Sequence, residues 1–112
     1  MKSGDYIMCS DYNVWKEVMR EELLSASSFD IHCWNEEIES IQLALKYGVK
    51  KPFDWNFGQV ITGLVTPKFI EFIIGIQKPK DTELSKIMTP FFSIFLNTGF
   101  SSEHYGSELI KR

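Results

Sequence analysis

The sequence predicts a mainly α fold: a single domain over residues 1–112, built as a compact bundle of several short helices around an aromatic-rich core. Three observations carry that prediction. Apolar residues recur at helical spacing over residues 14–24 and again at Ile31, Trp34, Ile38, Ile41 and Leu45. Two Thr-Pro pairs, Thr66-Pro67 and Thr89-Pro90, each stand just ahead of an apolar run, the order that suits an N-cap followed by the first helical position. No Asn-Gly or Asp-Gly dipeptide occurs, so the strongest short-range hairpin signal is missing. The alternative is an α+β fold with a small sheet, because the apolar runs at 69–76 and 91–96 are also short enough to be buried strands.

In chain order, Tyr6 to Cys9 reads as a short strand. Ser10 and Asp11 offer N-caps for a first helix in which Val14, Trp15, Val18, Met19, Leu23 and Leu24 recur at helical spacing while Lys16, Glu17, Arg20 and Glu21 face away; Ser25 to Ser28 end it. Over residues 31–45 the apolar spacing favours a helix capped by Asp30, with Lys46 in its last turn and Gly48 as the left-handed residue beyond it. A competing strand reading of 29–34 rests on the alternation of Phe29, Ile31 and Cys33. Residues 49–57 form an aromatic loop. Gln59 to Val65 stays open between a helix capped by Asp54 and a strand, since Val-Ile-Thr-Gly-Leu-Val is β-prone. Thr66-Pro67 predicts a helix through Ile74, residues 82–88 a short helix, and Thr89-Pro90 a helix through Leu96 stopped by Asn97 and Gly99. The glycine-bracketed segment 99–106 reads as an exposed loop.

Composition bounds the function. With 44% hydrophobic and 24% charged residues, the 112-residue chain is ordinary for a globular domain with one core. The aromatic share of 14% is high, and each ring can bury roughly 150–250 Å², in the core or against a partner. The net charge of −3 conceals an asymmetry: residues 1–45 carry nine acidic and three basic side chains, and residues 46–112 carry six and nine. An acidic first half repels a phosphate backbone and suits a basic protein, so nucleic acid is not the expected partner. Two cysteines without a signal segment predict reduced thiols in a cytoplasmic protein. The longest apolar-rich stretch, Phe69 to Ile76, is broken by Glu71 and too short to span a bilayer, so no membrane role is expected either.

No arranged set of reactive groups is recognisable. Cys9, Cys33, His32 and His104 lack the paired short spacing of metal sites, and the adjacent His32 and Cys33 point to different sides, so no metal or cofactor is expected. Cysteine and histidine are available as a nucleophile pair, but no turn presents either sulfur; Ser, Glu and His occur within 99–106 without a nucleophile elbow. The expectation is a non-catalytic protein. Its candidate contact residues are the acidic set Asp30, Glu36, Glu37 and Glu39, Trp55 in the aromatic loop, and Glu103, His104 and Tyr105 in the C-terminal loop.

The segments Phe29-Asp-Ile-His-Cys-Trp34 and Thr89 to Gly106, with small size and uneven charge, make the chain similar in class to the immunity proteins that bacteria encode beside polymorphic or contact-dependent toxins. No diagnostic motif is shared. The resemblance implies inhibition by occlusion, in which the protein covers the active surface of a cognate, basic toxin domain. An adaptor or regulatory subunit that binds another cytoplasmic protein is the second reading. On the helical reading, Asp at Ile38 or Ile41 should unfold the domain, whereas Lys at Glu36 and Glu37 should spare folding and weaken binding.

Overall fold

The computed structural model describes residues 1–112. In chain order the elements are β1 (Tyr6–Met8), α1 (Tyr12–Ser25), β2 (Ser28–Trp34), α2 (Ile38–Leu45), β3 (Val49–Lys51), β4 (Gly58–Leu64), α3 (Pro67–Gly75), β5 (Ser93–Leu96), β6 (Phe100–Glu103) and β7 (Glu108–Lys111). The strands form one seven-stranded sheet in the order β1-β7-β6-β5-β2-β4-β3, every neighbouring pair antiparallel. This is an α+β architecture and overturns the expectation of a mainly α bundle. No helix is long and apolar enough to cross a membrane.

The main error lay at β2. In a strand, residues three apart fall on opposite faces, so Ile31 and Trp34, which share a side in the helical reading, are separated. Strand β2 is central, bonded to β4 along its whole length and to β5 from Phe29 to His32. Its odd positions Phe29, Ile31 and Cys33 are buried against the helices, and Asp30, which the helical reading makes a cap, lies on the other face. The helix survives only from Ile38. Gly48 is not left-handed: a Cβ there would stand 2.4 Å from the Thr62 carbonyl oxygen, so the glycine admits a close backbone approach.

The other corrections share one cause. Residues 59–64 and 93–96 are β4 and β5, because each finds a partner strand for its backbone, and Thr89-Pro90 leads into a strand instead of a helix. Residues 82–88 are not helical; the Asp81 carboxylate accepts from the Ile87 amide and pairs with Lys78 and Lys86. Segment 99–106 is mostly strand β6 and a hairpin turn. The turns use signals other than Asn-Gly: Gly99 has φ 89°, and the Asn97 side chain accepts from the amides of Ser27 and Ser28.

The N-cap predictions hold where a helix follows. The Asp11 carboxylate accepts from the amides of Asn13 and Val14. The Thr66 hydroxyl accepts from Phe69, with Pro67 opening α3. All three helices lie on one side of the sheet. Trp15, Met19 and Leu23 of α1, Ile41 and Ala44 of α2, and Phe69 and Ile73 of α3 share one core with Phe29, Ile31, Ile61, Ile94, Phe100 and Leu109. Phe29 and Phe69 stack with centroids 3.9 Å apart, and the Trp15 indole donates to the buried Ser102 hydroxyl at 3.1 Å.

The expectation that Ile38 and Ile41 are equivalent is therefore wrong: Ile38 is 62% exposed and Ile41 is 8% exposed. Chemical denaturation should show Ile41→Asp losing about 3 kcal/mol or more, through a buried unpaired charge, and Ile38→Asp staying within about 0.5 kcal/mol of wild type. Equal losses would contradict this placement of α2.

Candidate binding face

The even positions of β2, Asp30, His32 and Trp34, lie on the sheet face that no helix covers. Register adds Tyr6 and Met8 of β1, Val60 and Thr62 of β4, Phe95 of β5, Ser101 and Glu103 of β6, and Glu108 of β7. Part of this face, over β2 and β4, carries a strap, residues 52–57, which links β3 to β4. It is tied down where the Asn35 amide donates to the Phe57 carbonyl and the Asn35 side chain donates to the Asn56 carbonyl, both at 3.0 Å. Trp55 seats over Gly58, where a Cβ would meet its ring at 2.2 Å. Beneath the strap Val60 is buried, although it lies outside the helix-side core.

The rings form a continuous ridge. His32 packs against Phe53, Trp55 and Phe95 with centroids 5.6, 5.7 and 4.7 Å away. Trp34 packs against Trp55 at 5.1 Å and Phe92 at 4.9 Å, and Phe92 continues to His104 and Tyr105 at 5.5 and 5.4 Å. Most of these rings are half-buried, but Phe53 is 58% and Phe57 69% exposed.

The ridge ends at a strained turn. His104 and Tyr105 have φ of 52° and 60°, in the left-handed region that costs a residue with a Cβ about 1–2 kcal/mol, and Gly106 follows at 88°. The surroundings hold this geometry. The Tyr105 carbonyl accepts from the amides of Met88 and Thr89, and its own amide donates to Phe92. Its hydroxyl donates to Glu37 Oε2 at 2.8 Å, while Glu37 Oε1 accepts from the Trp34 amide at 2.9 Å. Burial and the Glu37 carboxylate both raise the Tyr105 hydroxyl, which keeps it a donor. Beside the turn, Glu108 accepts from the Tyr6 hydroxyl and is hydrogen-bonded to the exposed His104 ring.

The eight residues singled out from sequence separate accordingly. Trp55 is linked through Trp34 and Phe92 to His104 and Tyr105, Glu37 bonds the Tyr105 hydroxyl, and exposed Glu36 adjoins it; the Glu103 carboxylate instead accepts from the Ser101 hydroxyl and pairs with Arg112. Asp30 is neutralised by Lys51 at 2.9 Å further along β2. Glu39 stands in the first turn of α2, outside the ridge. Glu37 is partly structural, which overturns the expectation that Lys there would spare folding. Sequence reasoning missed Trp34, His32, Phe92, Tyr6 and Glu108. The alternation of Phe29, Ile31 and Cys33 was the signal for the first two, because it sends their neighbours to the opposite face.

Both cysteines are buried, and burial pushes the Cys33 thiol up to about 12, the reverse of what activates a nucleophile. No group of three His, Cys, Asp or Glu side chains is placed to hold a metal ion. The largest surface hollow, about 490 Å³, lies away from the ridge, beside Tyr47 and α3. Comparison with protein-family models, curated proteins and solved structures found no match to this chain.

Two measurements test the face. Burial is the largest influence on His32 and lowers its pKa, so the fold favours the neutral ring. The unfolded chain then binds more protons as pH falls through about 6.5, so the neutral ring's contribution to stability is present above that value and is lost below it. Urea titrations between pH 7 and 5 should show His32→Phe losing less stability than wild type; identical slopes would rule this out. At the turn, His104→Gly should be more stable than His104→Ala by about 1 kcal/mol, because only glycine relieves the left-handed strain. The opposite order would remove the strain argument.

Proposed function

We propose that this chain is a non-catalytic protein-binding module, and specifically a cytoplasmic immunity-type inhibitor that occludes the active surface of a cognate bacterial toxin. The observation that carries the reading is the helix-free sheet face, where an aromatic ridge ends in a strained, tightly bonded turn. Residues held in sparsely populated backbone regions persist only where surroundings over-determine them, and they concentrate at ligand-binding sites. Half-buried Trp and Tyr flanked by charged side chains are what protein interfaces use as anchors. The class resemblance noted from the sequence supports an inhibitor over an adaptor.

The test pairs the chain with the polypeptide encoded beside it. Coexpression should rescue growth from that polypeptide's toxicity, and the purified pair should form a complex whose association rate falls with added salt. Glu36→Lys should slow association severalfold and leave stability within about 0.5 kcal/mol, since the residue is exposed. Substrate turnover by the chain alone, abolished at His104 or a cysteine, would sink the proposal.

A further inference from the structure

We infer that the anchor received by the open face is an arginine of a basic protein partner, laid on the strap 52–57 between its exposed rings and the neighbouring carboxylates. This rests on the reading of that face as a binding surface and adds the chemistry of its occupant. Elsewhere on the face the charges are already matched: Lys51 is taken by Asp30, and Arg112 by Glu103. Around the strap they are not. Glu36 and Asp54 are exposed with no cation within ion-pair distance, whereas Glu37 is already occupied by the Trp34 amide and the Tyr105 hydroxyl; the Asn35 hydrogen bonds to Asn56 and Phe57 hold the turn at Glu36 against the strap.

The same strap exposes Phe57, and Phe53 on the side that does not meet His32, beside the half-buried Trp55. Unmatched carboxylates call for a cation, and open ring faces call for something flat or apolar. A guanidinium answers both at once, because it stacks flat on an aromatic face while its edge forks to a carboxylate; an ammonium can sit over a ring but is a strongly hydrated point charge that cannot fork. A phosphate backbone or an anionic lipid surface would be repelled by the same groups.

The experiment uses the intact chain, isotope-labelled, and three short capped peptides of equal length: triarginine, trilysine and triglutamate. Triarginine should shift the Trp55 indole and the backbone amides of 53–58 in NMR spectra, bind at least twofold more tightly than trilysine, and weaken with added salt. Triglutamate should leave these signals in place. The double variant Phe53→Ala/Phe57→Ala removes two largely exposed rings, and should bind triarginine about two- to fivefold more weakly with its spectrum unchanged away from the strap and His32. Asp54→Asn should weaken it independently.

Equal binding of triarginine and trilysine, shifts confined to the acidic side chains of α1, or an unaltered affinity in the double variant would each overturn the arginine anchor. If those results coincide with tight, growth-rescuing binding of the adjoining gene's product, the inhibitor reading stands and only the anchor falls. If triarginine binds as expected and the adjoining product does not, the inhibitor reading falls and the anchor stands.

Discussion

The register of β2 is the constraint on which both halves of the molecule depend. It is bonded on both sides, to β4 and β5, and its side chains alternate without interruption. Phe29, Ile31 and Cys33 supply the middle of the helix-side core; Asp30, His32 and Trp34 supply the middle of the open face. A slip of one residue would exchange the sets, placing a carboxylate, an imidazole and an indole under the helices. Burying Asp30 away from Lys51 alone would cost several kcal/mol, comparable with the whole stability of a domain this size. The core therefore fixes the composition of the open face: whatever keeps the helices packed also keeps Trp34 and His32 outside.

A second layer of constraint joins strands at the end of the sheet. Glu37 ties the Trp34 amide to the Tyr105 hydroxyl, linking the exit of β2 to the turn between β6 and β7. Gly106 closes that turn with a Cβ position 2.6 Å from both the Met88 side chain and the Trp15 indole nitrogen. The strained turn is thus wedged against the residue that begins the α1 packing face. Strain in His104 and Tyr105 is held by contacts that reach into the main core, so this end of the ridge is rigid and its rings are preorganised.

Much of the local structure was legible, and the tertiary pairing was not. Asp11 and Thr66-Pro67 act through chemistry confined to one turn, and both form the caps their sequence announces. Ile31, Trp34, Ile38, Ile41 and Leu45 fit a helical template without forming one helix, because periodicity cannot tell a buried run in a central strand from a helix. What decided the matter was the presence of β4 and β5, partners distant in sequence. The site was legible in part for the same reason. Trp55, Glu37 and Tyr105 stand out by residue type, but their proximity follows from the order β5-β2-β4, which no single segment encodes. His104 and Tyr105 in left-handed geometry had no sequence signal, since nothing about a His-Tyr-Gly triplet dictates it without the Met88, Thr89 and Phe92 backbone groups that hold it.

Under the proposed binding role, magnitudes decide which part of the open face would set affinity. An exposed surface carboxylate paired with a partner's cation contributes about 0–1 kcal/mol, less in salt. Fully burying one phenylalanine ring contributes roughly 1.5–3 kcal/mol, and both Phe53 and Phe57 retain more than half of their surface to water. Covering the two rings would therefore supply on the order of 2–3 kcal/mol, a factor of roughly 30–150 in affinity. Under the proposed reading, the unmatched carboxylates Glu36 and Asp54 would contribute less to that total but act at long range, steering the approach of a basic surface. Because Trp55 is already fixed over Gly58 and the strap is tied at Asn56 and Phe57, little ordering remains to offset the gain when a partner closes over it.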